Sequence, residues 1–392
     1  MNLPYHAFPR DVISIDRRDS VYYLAPLMIT TQPHSIFAYI DHEKSAPSSP
    51  AGIRALHYLS WEDAMWDVIA QKKLPTGSVA LVPSFWCGDV VQNMHAHGVE
   101  CVHYPADQNF QTEEHVLLDF IRVHKPAMVI IFHAVGIRNR LLAENLNWIE
   151  ELHRDTLLIE DSVHSVVDPS TVTLRRNNHF VIDSWRKVVP LQGAALYGAM
   201  SSVDWDEPVW HQSYIAKVTV FMWWIIFQII LHVQSLSSGT FGRYMGVLAE
   251  RTMKVGYDQI GDTVLPAGTF DICTYVHTKL AYARIDQIKQ KQVNIYEAGL
   301  APVLSRNGVE TVWYRDSDRQ AMRGYPLRLS LVRAPQILAR LREAGLIVRF
   351  ELNDSPWSAE HKVIFLPLGP HLQTSDIESV VACVNHAVSD VL

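Results

Sequence analysis

Residues Thr156 to Lys187 read TLLIEDSVHSVVDPSTVTLRRNNHFVIDSWRK. Two short apolar runs, LLI and HFVI, each end on an acidic residue and a small polar turn. Runs of this length bounded by turn residues read as strands buried on both faces. Asp161 and His164 follow the first run, and Ser184, Arg186 and Lys187 follow the second. All five therefore fall at one edge of a sheet, and in open α/β sheets ligands sit beyond the carboxyl ends of the strands.

The same unit repeats upstream. SVALVPS, ECVHYPA and AMVIIFHAVG read as strands, while DVVQNMHAHG, EEHVLLDFIRVH and AENLNWIEELHRD read as helices between them. Strands alternating with helices predict an α/β chain with a mostly parallel sheet covered by helices. GIRALHYLSWEDAMWDVIA, from Gly52 to Ala70, reads as the first helix, because Ala55, Leu56, Leu59, Ala64, Met65 and Ile69 recur at spacings of three and four. Past residue 260, HTKLAYARIDQIKQKQVNIYEAGLAPVLSRNG reads as one long helix. GYPLRLSLV, APQILARLREAG, LIVRFEL and TSDIESVVACVNHAV then follow as strand, helix, strand and helix. The expected organisation is an irregular segment 1–50, a large domain 51–215, an apolar connector 216–260, and a connector helix with a small α+β domain 261–392.

Composition narrows the function. The chain has 392 residues, 48% of them hydrophobic, 19% charged, and a net charge of -7. No basic face is available to neutralise phosphates, which excludes nucleic acid as a partner. Four scattered cysteines without metal-type spacing fit a cytoplasmic setting and no bound metal. The connector is unusual, because residues 218–242 contain no Asp, Glu, Lys or Arg. Its apolar core is short for a span, leaving a buried or dimer-interface helix, or one lying at a membrane surface.

Individually, the polar residues have ordinary readings: Asp161 as a helix cap, Lys187 as a loop residue, Gly52 as a turn. Together they describe one ligand. A carboxylate suits a pyridinium nitrogen, a lysine amine suits an aldehyde, and a helix start suits a phosphate, the three requirements of pyridoxal 5′-phosphate.

On these motifs the chain resembles the DegT-like sugar aminotransferases of the fold-type I pyridoxal-phosphate enzymes. GIRALHYL is similar to their phosphate loop, IEDSVHS to their carboxylate strand, and SWRKVVPLQGAALYG to a branch with Ser-x-Arg-Lys-x-x-Pro. The resemblance implies a PLP-transferase fold with the active site at a homodimer interface. It makes Lys187 the Schiff-base lysine and general base, Asp161 the partner of the ring nitrogen, and His164 a neighbour of the ring hydroxyl. Ser184 and the backbone at Gly52, Ile53 and Arg54 would meet the phosphate, with Cys87 over the ring and Trp86 beside it. The implied activity is transfer of an amino group from an amino-acid donor to a keto acceptor such as a nucleotide-linked keto sugar. A lyase, decarboxylase or condensing enzyme on the same cofactor, or a non-catalytic scaffold at a membrane, are the alternatives. The chain departs from the family in LPAGTFDICTYVHTKL, which lacks a Gly-Tyr-Asn-Tyr-Arg motif, in PLQGAA after the lysine, and in the apolar connector.

Overall fold

The computed structural model describes residues 50–202 and 268–389, apart from 144–145, 190, 192, 270, 305–307, 316–321, 345 and 371. It also describes 22–23, 39–41 and isolated positions between 218 and 252. Most of the expected irregular segment 1–50 and of the apolar connector lies outside the described residues.

The strands are β1 (Tyr22–Tyr23), β2 (Ile53–Tyr58), β3 (Ser78–Pro83), β4 (Val99–Tyr104), β5 (Met128–Phe132), β6 (Leu157–Ser162), β7 (His179–Asp183), β8 (Ala194–Ala199), β9 (Val309–Thr311), β10 (Gly324–Leu329), β11 (Leu346–Ile347) and β12 (Lys362–Pro367). The α-helices complete among the described residues are α1 (Trp61–Lys72), α2 (Gly88–Ala96), α3 (Glu114–His124), α4 (Asn147–Glu150), α5 (Asp271–Thr278), α6 (Tyr282–Leu300), α7 (Ala334–Glu343) and α8 (Thr374–Ser389).

A seven-stranded sheet of order β2-β8-β7-β6-β5-β3-β4 dominates. Every strand runs the same way except β8, which is antiparallel to both its neighbours. This is the α/β architecture that the apolar runs predict, and its two faces explain why those runs do not alternate. On β5, Met128, Ile130 and Phe132 enter one buried cluster while Val129 and Ile131 enter another, packed with Leu117, Ile121 and Trp148 of α3 and α4. Each such fully buried side chain contributes about 1.5–3 kcal/mol. A second, antiparallel sheet of order β12-β10-β9 lies in the C-terminal part. The helices α6, α7 and α8 contribute buried residues such as Val293, Ile337 and Val380 to the same cluster as that sheet.

Four local expectations are corrected. Residues 53–58 are a strand, not the start of a helix. Ile53 and Ala55 pack on one face while Leu56 and Tyr58 pack on the other, so a two-face strand pattern had merged with the helical one that begins at Trp61. Ser60 sets that boundary: its Oγ accepts the Asp63 N–H at 3.1 Å and donates to the Asp63 carboxylate at 2.6 Å. The helix read over 143–155 is only the four residues of α4. Finally, the long helix from 277 is broken into α5 and α6, because the fully buried Leu280 bridges Ile40 and the Asp41 N–H bonds the Lys279 carbonyl. LIVRFEL forms only the two-residue β11, paired parallel with β1.

Glu160 on β6 is 12% exposed and lies between two buried histidines, 2.8 Å from His133 Nε2 and 3.3 Å from His179 Nε2. Each histidine accepts a backbone N–H at Nδ1, from Asn139 and Arg175 respectively, so each carries its proton on Nε2 facing the carboxylate. Against the cost of burial, these contacts hold the Glu160 carboxyl well below the usual carboxylate range. A carboxyl whose native pKa is depressed adds stability that is complete above its unfolded value and is lost as pH falls below that. Urea unfolding from pH 7 to pH 3 should therefore show stability dropping below about pH 4.5. Glu160→Gln should flatten that acid limb and cost about 1–3 kcal/mol at neutral pH.

Candidate active site

Four parallel strands deliver their following residues to one place. β3 leads to Trp86 and Cys87, β5 ends at Phe132, β6 carries Asp161 near its end with His164 beyond it, and β7 leads to Lys187. Side chains of all these residues line a single cavity, together with Trp61 and Glu62 of α1, Val90 of α2, Val163, and Leu352 from the C-terminal part.

Asp161 sits on the β6 face that also carries Leu157 and Ile159, one residue from Glu160 and so on the opposite face from it. Its two oxygens accept the Trp86 indole N–H at 2.8 Å and the Val163 backbone N–H at 3.0 Å. Burial pushes its pKa up to about 6 against the pull of those bonds and of Lys187. The carboxyl is thereby poised to hold or release a proton near neutral pH.

His164 is fixed from both sides. Its Nδ1 accepts the Val135 N–H at 2.9 Å and its Nε2 lies 3.0 Å from Arg323 Nη1. Both neighbours are donors, and burial, Arg323, Lys187 and Arg349 together push its pKa well below the ordinary value. The ring is therefore neutral. Arg323 itself is held by Glu351 at 2.9 Å, and Glu351 also contacts Arg349 at 3.3 Å. Buried Arg323 and Glu351 and half-buried Arg349 come from the C-terminal part, and only tertiary structure shows that Arg323 reaches His164. Its segment passes close to Gly136, which has a φ of +92° and whose Cβ, were there one, would lie 2.9 Å from Met322 Cα. The Arg323 N–H then bonds the Val135 carbonyl at 2.8 Å.

Lys187 ends the 3-10 turn Trp185–Lys187 that follows Ser184. The turn is anchored by Trp185, whose N–H bonds the Gly193 carbonyl at 2.9 Å and whose ring lies 2.5 Å from where a Gly193 Cβ would stand. The PLQGAA departure thus has a packing reason: position 193 must leave room for that indole. Lys187 lines the cavity, and its charge acts on Asp161, His164, Cys87 and Glu351. Cys87 caps α2 and lines the cavity as a thiol, because burial and then Asp354 push its pKa up to about 11.

Ser184 is 1% exposed, and its Oγ has no hydrogen-bond partner among the described residues. It does not line the cavity as drawn by the residues above. Gly52, Ile53 and Arg54 are not at the site. β2 is parallel to β7 through their shared neighbour β8, so its first residues lie at the opposite sheet edge and only its end, Tyr58, approaches the cavity side. The helix start that reaches the cavity is Trp61 and Glu62, three and four residues past the end of β2, and the Ser60-x-x-Asp63 pair is the sequence signal that marks it.

No protein-family model matches the sequence, and no curated protein does so. Solved structures do match. The aminotransferase TlmJ from Streptoalloteichus hindustanus aligns over 86% of this chain and 86% of its own at 14% identity, with a TM-score of 0.57. A protein proposed to be a sugar aminotransferase from Streptococcus pneumoniae, in its PMP form, aligns over 100% of both chains at 13% identity and a TM-score of 0.56. A DegT DnrJ EryC1 StrS aminotransferase from Brucella abortus covers 94% of this chain and 91% of its own at 14% identity, with a TM-score of 0.53. At these identities the likeness is one of architecture: the chain has the fold of the fold-type I, DegT-like aminotransferases.

Proposed function

We propose that this chain is a pyridoxal 5′-phosphate-dependent aminotransferase that moves an amino group from an amino-acid donor to a keto acceptor. The observation that carries the reading is the convergence of Lys187, Asp161 and His164 on one cavity at the carboxyl edge of the sheet. The donor set fits the cofactor. Asp161 suits a ring nitrogen, and the amine of Lys187 suits an aldehyde. The buried donors that lack a partner among the described residues include the Trp61 indole N–H, which lines the cavity at the start of α1, and the Ser184 hydroxyl in the turn before Lys187. Unsatisfied buried donors beside a helix N-terminus are what an anionic group would satisfy.

When bound, the cofactor supplies an electron sink for charge developing on the donor's α-carbon. The chain's residues do the rest. Asp161, as carboxylate, holds a proton on the ring nitrogen, and Trp86 and Val163 keep its oxygens in place. Lys187, with its amine free, would take the proton from the donor's α-carbon and later return one to the acceptor. His164, kept neutral by its neighbours, adds a dipole rather than a charge beside the ring.

A nucleotide-linked keto sugar is the acceptor class to test first, since one of the matching structures is described as a sugar aminotransferase. A homodimer belongs to the same reading. In the connector, Met222, Ile226 and Ile229 are helical and exposed at a spacing of four and three, an apolar face that a second copy or a membrane surface would cover.

Purified protein mixed with the cofactor should show a cofactor absorbance band that Lys187→Ala lacks, and the variant should lose about 10²–10⁴-fold in donor-dependent turnover. Identical spectra from the two chains would remove the proposal. Because Asp161 acts as a carboxylate and its pKa is about 6, kcat/KM should rise with pH through that region. Asp161→Asn should abolish this acid limb while lowering the plateau, as read from a pH–rate profile.

A further inference from the structure

The described part of LPAGTFDICTYVHTKL, the segment in which the chain departs from the family it resembles, packs against the turn that carries Lys187. Gly268 bridges Tyr58 at the end of β2, and the Thr269 N–H bonds the His57 carbonyl at 3.2 Å. α5 then brings His277, 1% exposed, onto the fully buried Trp185, the first residue of that turn. The two rings stack, with centroids 4.2 Å apart and planes 14° apart. The main chain of Trp185 is fixed as well: its N–H bonds the Gly193 carbonyl, and its own carbonyl accepts the Val188 and Val189 N–H groups at 3.0 and 2.8 Å. His277 is oriented in turn, because its Nε2 lies 3.2 Å from the Tyr282 hydroxyl and 4.0 Å from Asp183, the last residue of β7. His57 adds a third ring, 5.7 Å from Trp185 and 5.6 Å from His277.

We propose that His277 is a positioning residue for Lys187: by stacking on Trp185 it holds the Trp185–Lys187 turn in the one arrangement that keeps the lysine amine in the cavity. The inference rests on the cofactor reading above, since it concerns the reach of that amine to an aldehyde. His277 does not line the cavity and acts only through the indole. Trp185 and Lys187 are the two ends of a three-residue 3-10 turn, so a tilt of the indole is carried to the lysine with little slack. A ring pair of this kind favours one arrangement over its alternatives by about two- to tenfold beyond the area it buries. The departing segment thus has a task of its own, which is to stack a ring behind the lysine turn.

The test mixes the full chain with pyridoxal 5′-phosphate and follows the absorbance band that appears as the Lys187 amine condenses with the aldehyde and water leaves. The limiting rate at saturating cofactor reports on the amine, and the half-saturating concentration reports on the rest of the site. Thermal melts show which variants are folded. His277→Leu, which keeps buried volume and removes the flat ring, should lower the limiting rate by about two- to tenfold and leave half-saturation unchanged. His277→Phe, which keeps a ring, should restore the rate. Trp185→Phe should lower it too, and His277→Leu added to that variant should lower it little further, because the two side chains act as one unit. A His277→Leu chain that melts earlier at an unchanged limiting rate, or a His277→Phe chain as slow as it, overturns the inference while the cofactor reading survives. Should His277→Leu not fold, an unchanged rate in Trp185→Phe overturns the inference equally. Absence of the band from the unsubstituted chain removes the cofactor reading, and this inference with it.

Discussion

No central strand of the large sheet has a wet face, and the chemistry is arranged around that constraint. With clusters of apolar side chains on both sides, a polar group on β5, β6 or β7 must either be fully satisfied or stand at the strand's end. β6 shows both solutions in adjacent residues. Glu160 points to one face, where His133 hydrogen-bonds it, His179 stands 3.3 Å away, and its pKa is driven down. Asp161 points to the other, where only the indole and backbone donors of Trp86 and Val163 reach it and burial drives its pKa up. One carboxylate is a structural anion and its neighbour a titratable group, from the same strand, because the donors around them differ more than their depth.

The same logic accounts for His164 and Lys187. Burial and the Arg323 guanidinium oppose a second proton on His164, whose two nitrogens are held by the Val135 N–H and Arg323, so it serves as a fixed neutral dipole. A lysine that ends a turn pinned by an indole is delivered to the cavity by packing, since the Trp185 ring occupies the space over Gly193. The site is thus held less by contacts among its own members than by apolar and backbone contacts one layer out.

Much of this was legible in the order of residues. MVIIF, LLIED and HFVID announce buried strands because both faces are covered, and the residues after them mark the edge where Trp86, Cys87, Asp161, His164 and Lys187 meet. What misled was the join between β2 and α1. Leu56 and Tyr58 belong to the same buried cluster as Ala64 and Met65, so a strand and the helix after it together mimic one helical period. That displaced the helix start at the cavity from Trp61 to Gly52, although the Ser60–Asp63 cap was present to correct it. Arg323 and Glu351 were out of reach for a different reason: they lie 159 positions from His164 in one case and act through a crossing that no local pattern encodes.

That crossing has a consequence for how the sequence can drift. Gly136, in a backbone conformation that side chains rarely adopt, leaves no room for a Cβ against Met322. The next residue, Arg323, bonds Val135 through its main chain and faces His164 through its guanidinium. Positions 135–136 and 322–323 are therefore one inheritance unit split across the chain. A residue with a side chain at 136 survives only alongside a rerouted C-terminal segment, and such a segment no longer presents its arginine to the histidine.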